Sequence, residues 1–404
     1  MDKIKIKGGR QLNGEIFISG AKNAALPLIC ASLLTEETVT LTNMPILSDI
    51  KSMNLLLEQL GTQIDSFDDF VDGHPTKTYS YRTPELTSIA APYDYVRKMR
   101  ASYYVLGPLL ARAGKVELSL PGGCAIGTRP MDIHLAAMEE MGAKIDIRNG
   151  YVYGEVDGRL KGAHIVFRTV SVGATCNVLM AATLAEGITV LENAAKEPEI
   201  GDLINLLNDM GAKISGIGTS ILTIEGVKKL HGARHKVIPD RIEAGSYAVA
   251  AAITGGKIEL INAQTYTLKT PMQILQKMGV EVMPTERGIL VDATGKKLIG
   301  EDIITEPFPG FPTDLQAQFM ALLTVAEGAG MVTETIFENR FMHVPELLRM
   351  GANINVHGHA SAIVRGVKKL SGAPVMATDL RASFALVLAG LAAEGETGVN
   401  RAYH

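Results

Sequence analysis

The chain repeats one short pattern five times, and this repetition constrains its fold more than any other feature. In each copy an apolar helix ends at a glycine and a short strand follows. The copies are LEQLGTQI around Gly61, MEEMGAKI around Gly142, LNDMGAKI around Gly211, LQKMGVEV around Gly279 and LLRMGANI around Gly351. A glycine at this point predicts a left-handed C-cap that releases each helix into a strand.

A second pattern occurs six times: a helix rich in alanine and other small residues, then a turn and a strand. These helices begin near residues 23, 100, 173, 243, 314 and 379. Small residues on all faces indicate helices that are buried against one another or against a sheet. Six alternating units of strand and helix predict an α/β fold with two sets of three repeats.

The length also favours two domains, because 404 residues exceed the size at which one core usually stops growing. Pro239 interrupts a strand-like run in HKVIPDRIE and marks a candidate hinge. The opening segment IKIKGGRQLNGEIFISG has the alternation of strands and could pair with a sheet of the second domain. The pattern then predicts a second crossover near Gly20.

Charge and composition exclude several classes of protein. The net charge of −4 leaves no general basic footprint for nucleic acid. The N-terminus has no apolar signal-peptide core, and no apolar run is long enough to span a membrane. Three cysteines without paired spacing favour reduced thiols. We therefore expect a cytoplasmic protein without a nucleic-acid or membrane partner.

One cysteine lies in a loop, LPGGCAIGTRP, between a strand and a helix. Glycines around Cys124 permit close approach to a ligand, and Arg129 could lower the thiol pKa or hold an anion. Cys30 and Cys176 lie in apolar helices and are predicted to be buried. From the residues alone, an incidental position of Cys124 remains an alternative.

Polar residues stand where the small-residue helices begin. They are Lys22, Asn23, Arg100, Ser171, Asp314, Asp379 and Arg381. Helix N-termini bind phosphate and carboxylate groups, but Ser and Asp there can equally be plain helix caps. A cation at Lys22 opposes the helix dipole unless an anion is near. His343 and the His357–His359 pair lack metal-ligand spacing, so we expect no metal.

Several motifs together closely resemble the enolpyruvyl transferases that act on UDP-N-acetylglucosamine. They are ISGAKNAALP, APYDYVRKMRAS, LPGGCAIGTRPMDIH, VSVGAT, IPDRIE, FPTDLQAQF, ENRFMHVPEL and ATDLRAS, and the resemblance spans the chain. It implies a two-domain inside-out α/β barrel with three repeats per domain. One domain would comprise residues 22–237 and carry Cys124. The other would comprise residues 1–21 and 238–404 and carry Asp314 and Arg381.

The resemblance also implies the reaction. The 3-hydroxyl of UDP-N-acetylglucosamine attacks phosphoenolpyruvate and phosphate is released by addition and elimination, which is the first committed step of peptidoglycan synthesis. Cys124, Asp314 and Lys22 would be catalytic: Cys124 as proton donor and target of the antibiotic fosfomycin, Asp314 as base. Residues implied for phosphoenolpyruvate are Lys22, Asn23, Arg129, Arg381 and Arg340. Residues implied for the nucleotide sugar are Asn23, Arg100, Arg129, Pro130, Met131, Asp132, Ile133, Thr169, Val170, Ser171, Val172, Asp314 and Ile336. No cofactor is implied.

Two departures from the family pattern leave alternatives open. The family usually has Lys where this chain has Thr169, so that contact would be made by the backbone. The sixth repeat lacks its second half, and we expect a natural continuation of roughly 15–25 residues with a further arginine beside Arg381. The alternatives are the related transferase acting on shikimate 3-phosphate and a catalytically weak regulatory protein that binds nucleotide sugars.

Overall fold

The computed structural model describes residues 3–71, 73–97, 99–120 and 131–402. They divide into two units with boundaries at Ile18/Ser19 and Ile238/Pro239. We call the described residues among 19–238 the N-terminal unit, and residues 3–18 together with 239–402 the C-terminal unit. The sequence-based boundaries were 21/22 and 237/238.

The helices lie at both the small-residue and the glycine-terminated segments. In chain order the described α-helices are α1 (Lys22–Ala31), α2 (Ser48–Gln59), α3 (Tyr93–Val96), α4 (Leu106–Ala113), α5 (Asp132–Glu140), α6 (Val172–Thr183), α7 (Pro198–Asp209), α8 (Arg241–Thr254), α9 (Lys269–Lys277), α10 (Gln316–Leu323), α11 (Val344–Arg349) and α12 (Leu380–Ala392). Short 3-10 turns occur at Ser32–Leu34, Arg100–Val105, Thr265–Leu268 and Thr313–Leu315.

Short strands separate the helices. In chain order the described strands are β1 (Lys3–Lys7), β2 (Asn13–Phe17), β3 (Val39–Met44), β4 (Gln63–Val71), β5 (His74–Arg82), β6 (Ala90–Ala91), β7 (Lys115–Ser119), β8 (Lys144–Arg148), β9 (Tyr151–Glu155), β10 (His164–Val166), β11 (Ile188–Glu192), β12 (Lys213–Ser215), β13 (Ile221–Glu225), β14 (Ala233–Lys236), β15 (Lys257–Ile261), β16 (Glu281–Pro284), β17 (Gly288–Asp292), β18 (Ile303–Ile304), β19 (Ala329–Thr333), β20 (Asn353–His357), β21 (Ser361–Arg365), β22 (Pro374–Met376) and β23 (Glu396–Asn400).

The described strands form six sheets, three in each unit, and all six share one pairing pattern. The N-terminal unit has the orders β14-β3-β5-β4, β6-β7-β9-β8 and β10-β11-β13-β12; the C-terminal unit has β2-β15-β17-β16, β18-β19-β21-β20 and β22-β23-β1. In each sheet the first pair is parallel and the remaining pairs are antiparallel. This common pattern confirms the predicted α/β class with six repeated units.

The opening strands belong to sheets of the C-terminal unit. β1 pairs antiparallel with β23, from Lys3 beside Asn400 to Lys7 beside Glu396. β2 pairs parallel with β15, while β14 pairs parallel with β3 of the N-terminal unit. The C-terminal unit therefore takes two strands, β1 and β2, from the distant opening segment, and the N-terminal unit takes β14 from its own far end. Both β2 and β14 lie just before the chain crosses to the other unit.

The glycine-terminated helices end as the sequence predicts. Gly61, Gly142, Gly211, Gly279 and Gly351 have φ values of 106°, 93°, 96°, 96° and 90°. In this left-handed region a side chain is strained and glycine is not. The backbone conformation therefore explains why each copy ends in glycine.

Each unit has its own hydrophobic core. In the C-terminal unit α8, α10 and α12 pack against one another. Their small residues are buried on nearly all faces, as in α10, where every residue from Gln316 to Leu323 is buried. The sheets alternate between buried and less buried residues, as in β17, so one sheet face packs on the helices. No helix among the described residues is long and apolar enough to cross a membrane.

Candidate active site

Three charged residues of the C-terminal unit form the Asp314 triad: Asp314, Arg340 and Arg381. Asp314 lies on the 3-10 turn before α10, and Arg381 is the second residue of α12. Arg340 Nη2 lies 2.6 Å from Asp314 Oδ1, and Arg381 Nη2 lies 2.7 Å from Oδ2. The packing of α10 against α12 brings Asp314 to Arg381, 67 positions away in sequence, and Arg340, 26 positions away, reaches the same carboxylate from the segment before α11.

Burial and charge act in opposite directions on this triad. The Arg340 side chain is 3% exposed and that of Arg381 14% exposed. Burial alone would raise the pKa of Asp314, but the charges and hydrogen bonds of Arg381 and Arg340 hold it well below its usual range. Burial lowers the pKa of Arg381, and the negative charges of Asp314 and Asp240 more than reverse this effect. Asp314 and Arg381 are therefore both ionised at neutral pH.

The triad has hydrogen-bonding capacity for an anion. A guanidinium group has five N–H donors, and each arginine uses only some of them on Asp314. Arg340 Nε is buried and has no hydrogen-bond partner among the described residues. A buried donor of this kind is uncommon in folded proteins. Arg340 and Arg381, both implied for phosphoenolpyruvate by the family resemblance, contact the same carboxylate.

In the N-terminal unit, Lys22 and Asp49 form the Lys22 pair. Lys22 is the first residue of α1, and its Nζ lies 3.0 Å from a carboxylate oxygen of Asp49 in the first turn of α2. The Lys22 and Asp49 side chains are 20% and 34% exposed. The sequence indicated that an anion should accompany this cation, and Asp49 is one from the chain itself. Asn23 follows Lys22 in α1 and is half-buried.

Two segments predicted to bind the nucleotide sugar meet in the N-terminal unit. Asp132 is the first residue of α5, and its carboxylate pairs with the Arg168 guanidinium. Arg168 directly precedes the segment Thr169–Val172, in which Thr169 is exposed and the other three residues are half-buried. Met131 is buried and Ile133 packs on the core. The Asp132–Arg168 ion pair therefore brings the start of α5 beside the segment that begins at Thr169.

A buried histidine supports the same two segments. His134 Nδ1 lies 3.0 Å from the Asn177 side-chain nitrogen, and a side chain added at Gly173 would meet the His134 ring at 3.0 Å. Burial, and then the positive charge of Arg100, lower the pKa of His134 to about 4. The imidazole is therefore neutral at pH 7. Arg100 lies over the Tyr103 ring, 5.9 Å from its centroid.

Two of the polar residues at helix starts, Ser171 and Asp379, act as helix caps, whereas Asp314 does not. The Ser171 hydroxyl accepts a hydrogen bond from Ala174 N at 3.2 Å. The Asp379 carboxylate accepts from the backbone nitrogens of Arg381 and Ala382 at 2.8 and 3.1 Å. Such contacts satisfy N–H groups that the helix leaves unpaired.

Ile336 lies on the segment after β19 in the C-terminal unit and is 36% exposed. Its backbone nitrogen donates a hydrogen bond of 2.9 Å to the carboxylate of Glu334. Sequence reasoning missed both Glu334 and Asp49. The sequence signal for each is only a carboxylate near a predicted helix or strand end, which many surface residues share.

Cys124, Arg129 and Pro130 lie outside the described residues. The prediction for the other cysteines is confirmed: Cys30 and Cys176 are 0% and 1% exposed. Burial raises the pKa of both thiols above the ordinary value. His343 is also a buried side chain, 1% exposed.

Comparisons with known proteins match the family that the sequence motifs resemble. The sequence profile of the family described as EPSP synthase (3-phosphoshikimate 1-carboxyvinyltransferase) matches residues 6–404. A UDP-N-acetylglucosamine 1-carboxyvinyltransferase of Granulibacter bethesdensis is 61% identical over 404 residues, which cover 100% of this chain and 94% of the relative. One of Paramagnetospirillum magneticum is 60% identical over 405 residues, with the same coverage of both chains.

Solved structures share the fold. The enolpyruvyl transferase NikO from Streptomyces tendae matches with a TM-score of 0.85 and 24% identity, covering 99% of this chain and 93% of that one. EPSP synthase from Acinetobacter baumannii matches with a TM-score of 0.73 and 19% identity, covering 98% and 94%. These likenesses confirm the two-domain α/β fold class expected from the sequence.

Proposed function

Because the chain belongs to the enolpyruvyl transferase family, we propose that it transfers the enolpyruvyl group of phosphoenolpyruvate to the 3-hydroxyl of UDP-N-acetylglucosamine and releases phosphate. The observation that carries the proposal is the high identity, over the whole chain, to transferases named for UDP-N-acetylglucosamine. Identity to EPSP synthase is far lower. The reaction begins peptidoglycan synthesis, so the proposal places the protein in the cytoplasm and makes it necessary for cell shape and division.

The chemistry is an addition followed by an elimination. The sugar 3-hydroxyl oxygen forms a bond to C2 of phosphoenolpyruvate while C3 gains a proton, which gives a tetrahedral intermediate. Loss of a proton from C3 and departure of phosphate from C2 then restore the double bond. Protein groups must therefore take the hydroxyl proton, exchange a proton with C3 and stabilise charge on the departing phosphate.

Asp314 is the proposed base for the 3-hydroxyl. In the Asp314 triad two guanidinium groups stabilise the carboxylate, and a carboxylate with so low a pKa is a weak base. The carboxylate and phosphate of phosphoenolpyruvate are anions that compete for the same guanidinium groups. We propose that phosphoenolpyruvate binding turns Arg340 or Arg381 from Asp314 toward the substrate, which raises the pKa of Asp314 and makes it a stronger base.

Lys22, Asn23, Arg129, Arg340 and Arg381 are the proposed ligands of phosphoenolpyruvate. The Lys22 pair supports this role because its ammonium group is partly exposed and lies 3.0 Å from a carboxylate oxygen of Asp49. An anionic substrate can replace such a partner more easily than in a fully buried pair, because water reaches both side chains and weakens their attraction. Lys22 would then stabilise the charge that develops on the leaving phosphate.

The nucleotide sugar is proposed to contact Asn23, Arg100, Asp314, Ile336 and the segments 129–133 and 169–172. The meeting of these two segments at Asp132 and Arg168 supports a shared role. Thr169 offers its backbone and hydroxyl where the family usually has Lys, and the cation at this point of the chain is Arg168.

Cys124 is the proposed proton donor to C3 and the site that fosfomycin alkylates. The burial of Cys30 and Cys176 supports this assignment, because it leaves both without access to an enolpyruvyl group. A thiol reagent should modify one cysteine of the native protein quickly, and peptide mapping should place it at Cys124. Rapid modification of Cys30 or Cys176 would contradict the assignment.

Phosphate release tests the whole proposal. Purified protein with phosphoenolpyruvate should release phosphate when UDP-N-acetylglucosamine is added and should not do so with shikimate 3-phosphate. Release with shikimate 3-phosphate alone would identify the related transferase. Tight binding of UDP-N-acetylglucosamine with no phosphate release from either acceptor would identify a regulatory protein.

A further inference from the structure

We infer that Glu334 is a positioning residue for Asp314, which it controls through Thr313; this inference rests on the proposed function. Glu334 follows β19 and is 3% exposed. It is therefore a buried carboxylate outside the Asp314 triad, and buried carboxylates require partners. Its hydrogen bonds show which parts of the site it joins.

One carboxylate oxygen of Glu334 organises its own segment. Oε1 accepts hydrogen bonds from the backbone nitrogens of Ile336 and Phe337 at 2.9 and 3.1 Å. It also accepts from the Thr305 hydroxyl at 2.9 Å. Three donors on one oxygen fix the turn after β19, and this turn leads along the chain to Arg340.

The other carboxylate oxygen reaches the segment that carries the base. Oε2 accepts a hydrogen bond of 2.8 Å from the hydroxyl of Thr313. Thr313 begins the 3-10 turn Thr313–Leu315, so Asp314 is the next residue. Glu334 thus holds the turn of Asp314 on one side and the turn that leads to Arg340 on the other.

This position gives Glu334 control over the geometry of the triad. The Asp314 and Arg340 side chains meet at 2.6 Å, and Glu334 connects the backbone segments behind both. A displacement of about 1 Å at a reacting group can cost about 100-fold in rate. Loss of the Thr313 contact should therefore move Asp314 relative to the acceptor hydroxyl without removing any group that binds substrate.

The two threonines that bind Glu334 provide a matched test. Thr313→Val and Thr305→Val each remove one hydroxyl from the same carboxylate, but only Thr313 adjoins Asp314. We expect Thr313→Val to lower kcat about 10- to 100-fold with KM values for both substrates near wild type. Thr305→Val also removes the acceptor of Thr335 N, so it should lower the Tm at least as much. Its kcat should fall much less than that of Thr313→Val, because two backbone donors still hold the turn that leads to Arg340. Equal losses of kcat in the two variants would overturn the inference, because they would show a structural role alone.

Conservative variants keep the inference testable if a valine variant folds poorly. Thr313→Ser retains the hydroxyl and should restore wild-type kcat. Glu334→Gln can keep its oxygen on the three donors and place its amide on the Thr313 hydroxyl, which can accept. It should therefore lose much less kcat than Glu334→Ala. A Thr313→Ser variant as slow as Thr313→Val would also overturn the inference.

The wild-type protein in the same assay separates this inference from the proposed function. If the wild type uses shikimate 3-phosphate instead of UDP-N-acetylglucosamine, the proposed function fails, and the threonine variants are compared on the acceptor that is used. If the wild type uses UDP-N-acetylglucosamine and the threonine variants are indistinguishable, only the role of Glu334 fails.

Discussion

The Asp314 triad and the Lys22 pair use the same kinds of charge in opposite arrangements. In the triad one carboxylate accepts from two largely buried guanidinium groups. In the pair an ammonium lies against the Asp49 carboxylate, and both side chains are partly exposed. A buried ion pair is costly to break, whereas an exposed pair exchanges partners easily. From this difference we infer that the triad sets the position and protonation of Asp314. In the Lys22 pair, by contrast, Lys22 can exchange Asp49 for an anionic substrate.

Replacing the triad carboxylate should have the largest effect on turnover. Asp314→Asn keeps the shape of the side chain but removes the negative charge and the basicity. We expect kcat to fall about 10²- to 10⁴-fold, the usual loss of a general base. Phosphate release would measure it, and calorimetry should show that UDP-N-acetylglucosamine still binds.

Asp379→Asn is the matched control for that change. Asp379 caps α12 beside Arg381, and an asparagine can accept the same backbone hydrogen bonds. Its turnover should stay near wild type. If Asp314→Asn turned over at the wild-type rate, Asp314 would serve only to hold the two arginines, and the triad would have no acid–base role.

Removing the positive charge of the Lys22 pair should have a smaller effect, mainly on the binding of phosphoenolpyruvate. Lys22→Met keeps an unbranched side chain without charge. We expect the apparent KM for phosphoenolpyruvate to rise about tenfold or more, since hydrogen bonds to charged groups contribute about 1.5–3 kcal/mol. The unfolding midpoint should change little.

Asp49→Asn changes the other member of the Lys22 pair. It removes the partner of Lys22 but leaves the ammonium in place, so it should weaken phosphoenolpyruvate binding less than Lys22→Met does. Steady-state kinetics with varied phosphoenolpyruvate would measure both variants. A Lys22→Met variant with an unchanged KM would place Lys22 outside the substrate site.

The repeats explain why so much of the fold could be predicted. Glycines at helix ends and small residues along helices act locally, and five positive φ angles confirm the first pattern. The partners of the strands were harder to predict, because a strand such as β14 pairs with β3 across nearly 200 residues and only tertiary packing selects that pairing. The predicted grouping of Asp314 with Arg381 came from family resemblance. Asp49 and Glu334 were missed because sequence does not reveal which carboxylates become buried or paired.

The Asp314 triad should also make the free energy of unfolding depend on pH. The folded-state pKa of Asp314 is depressed, so its stabilising contribution is fully present above the unfolded value of about 3.9 and is lost as pH falls below it. Urea unfolding of wild type and Asp314→Asn at several pH values would measure this. Wild type should be the more stable at pH 7, and the difference should shrink below about pH 4. A difference that stayed constant to pH 3 would mean that Asp314 is not preferentially ionised in the folded state.

The smallest expected effect comes from the most exposed of the ion pairs discussed, between Asp132 and Arg168. Their side chains are 47% and 69% exposed, so water and salt screen the attraction far more than in the triad. A double-mutant cycle with Asp132→Ala and Arg168→Ala should give a coupling energy of about 0.2–1 kcal/mol in unfolding, and it should decrease as salt is added. The same cycle on Asp314 and Arg340 should give a larger coupling that salt hardly changes, because Arg340 is almost fully buried. If the coupling energy of Asp132 and Arg168 matched that of Asp314 and Arg340 in size and in resistance to salt, burial could not be what distinguishes strong ion pairs from weak ones in this protein. The proposed division between a fixed base and an exchangeable cation would then fail as well, since it depends on burial making one set of ion pairs hard to break and leaving the other easy to replace.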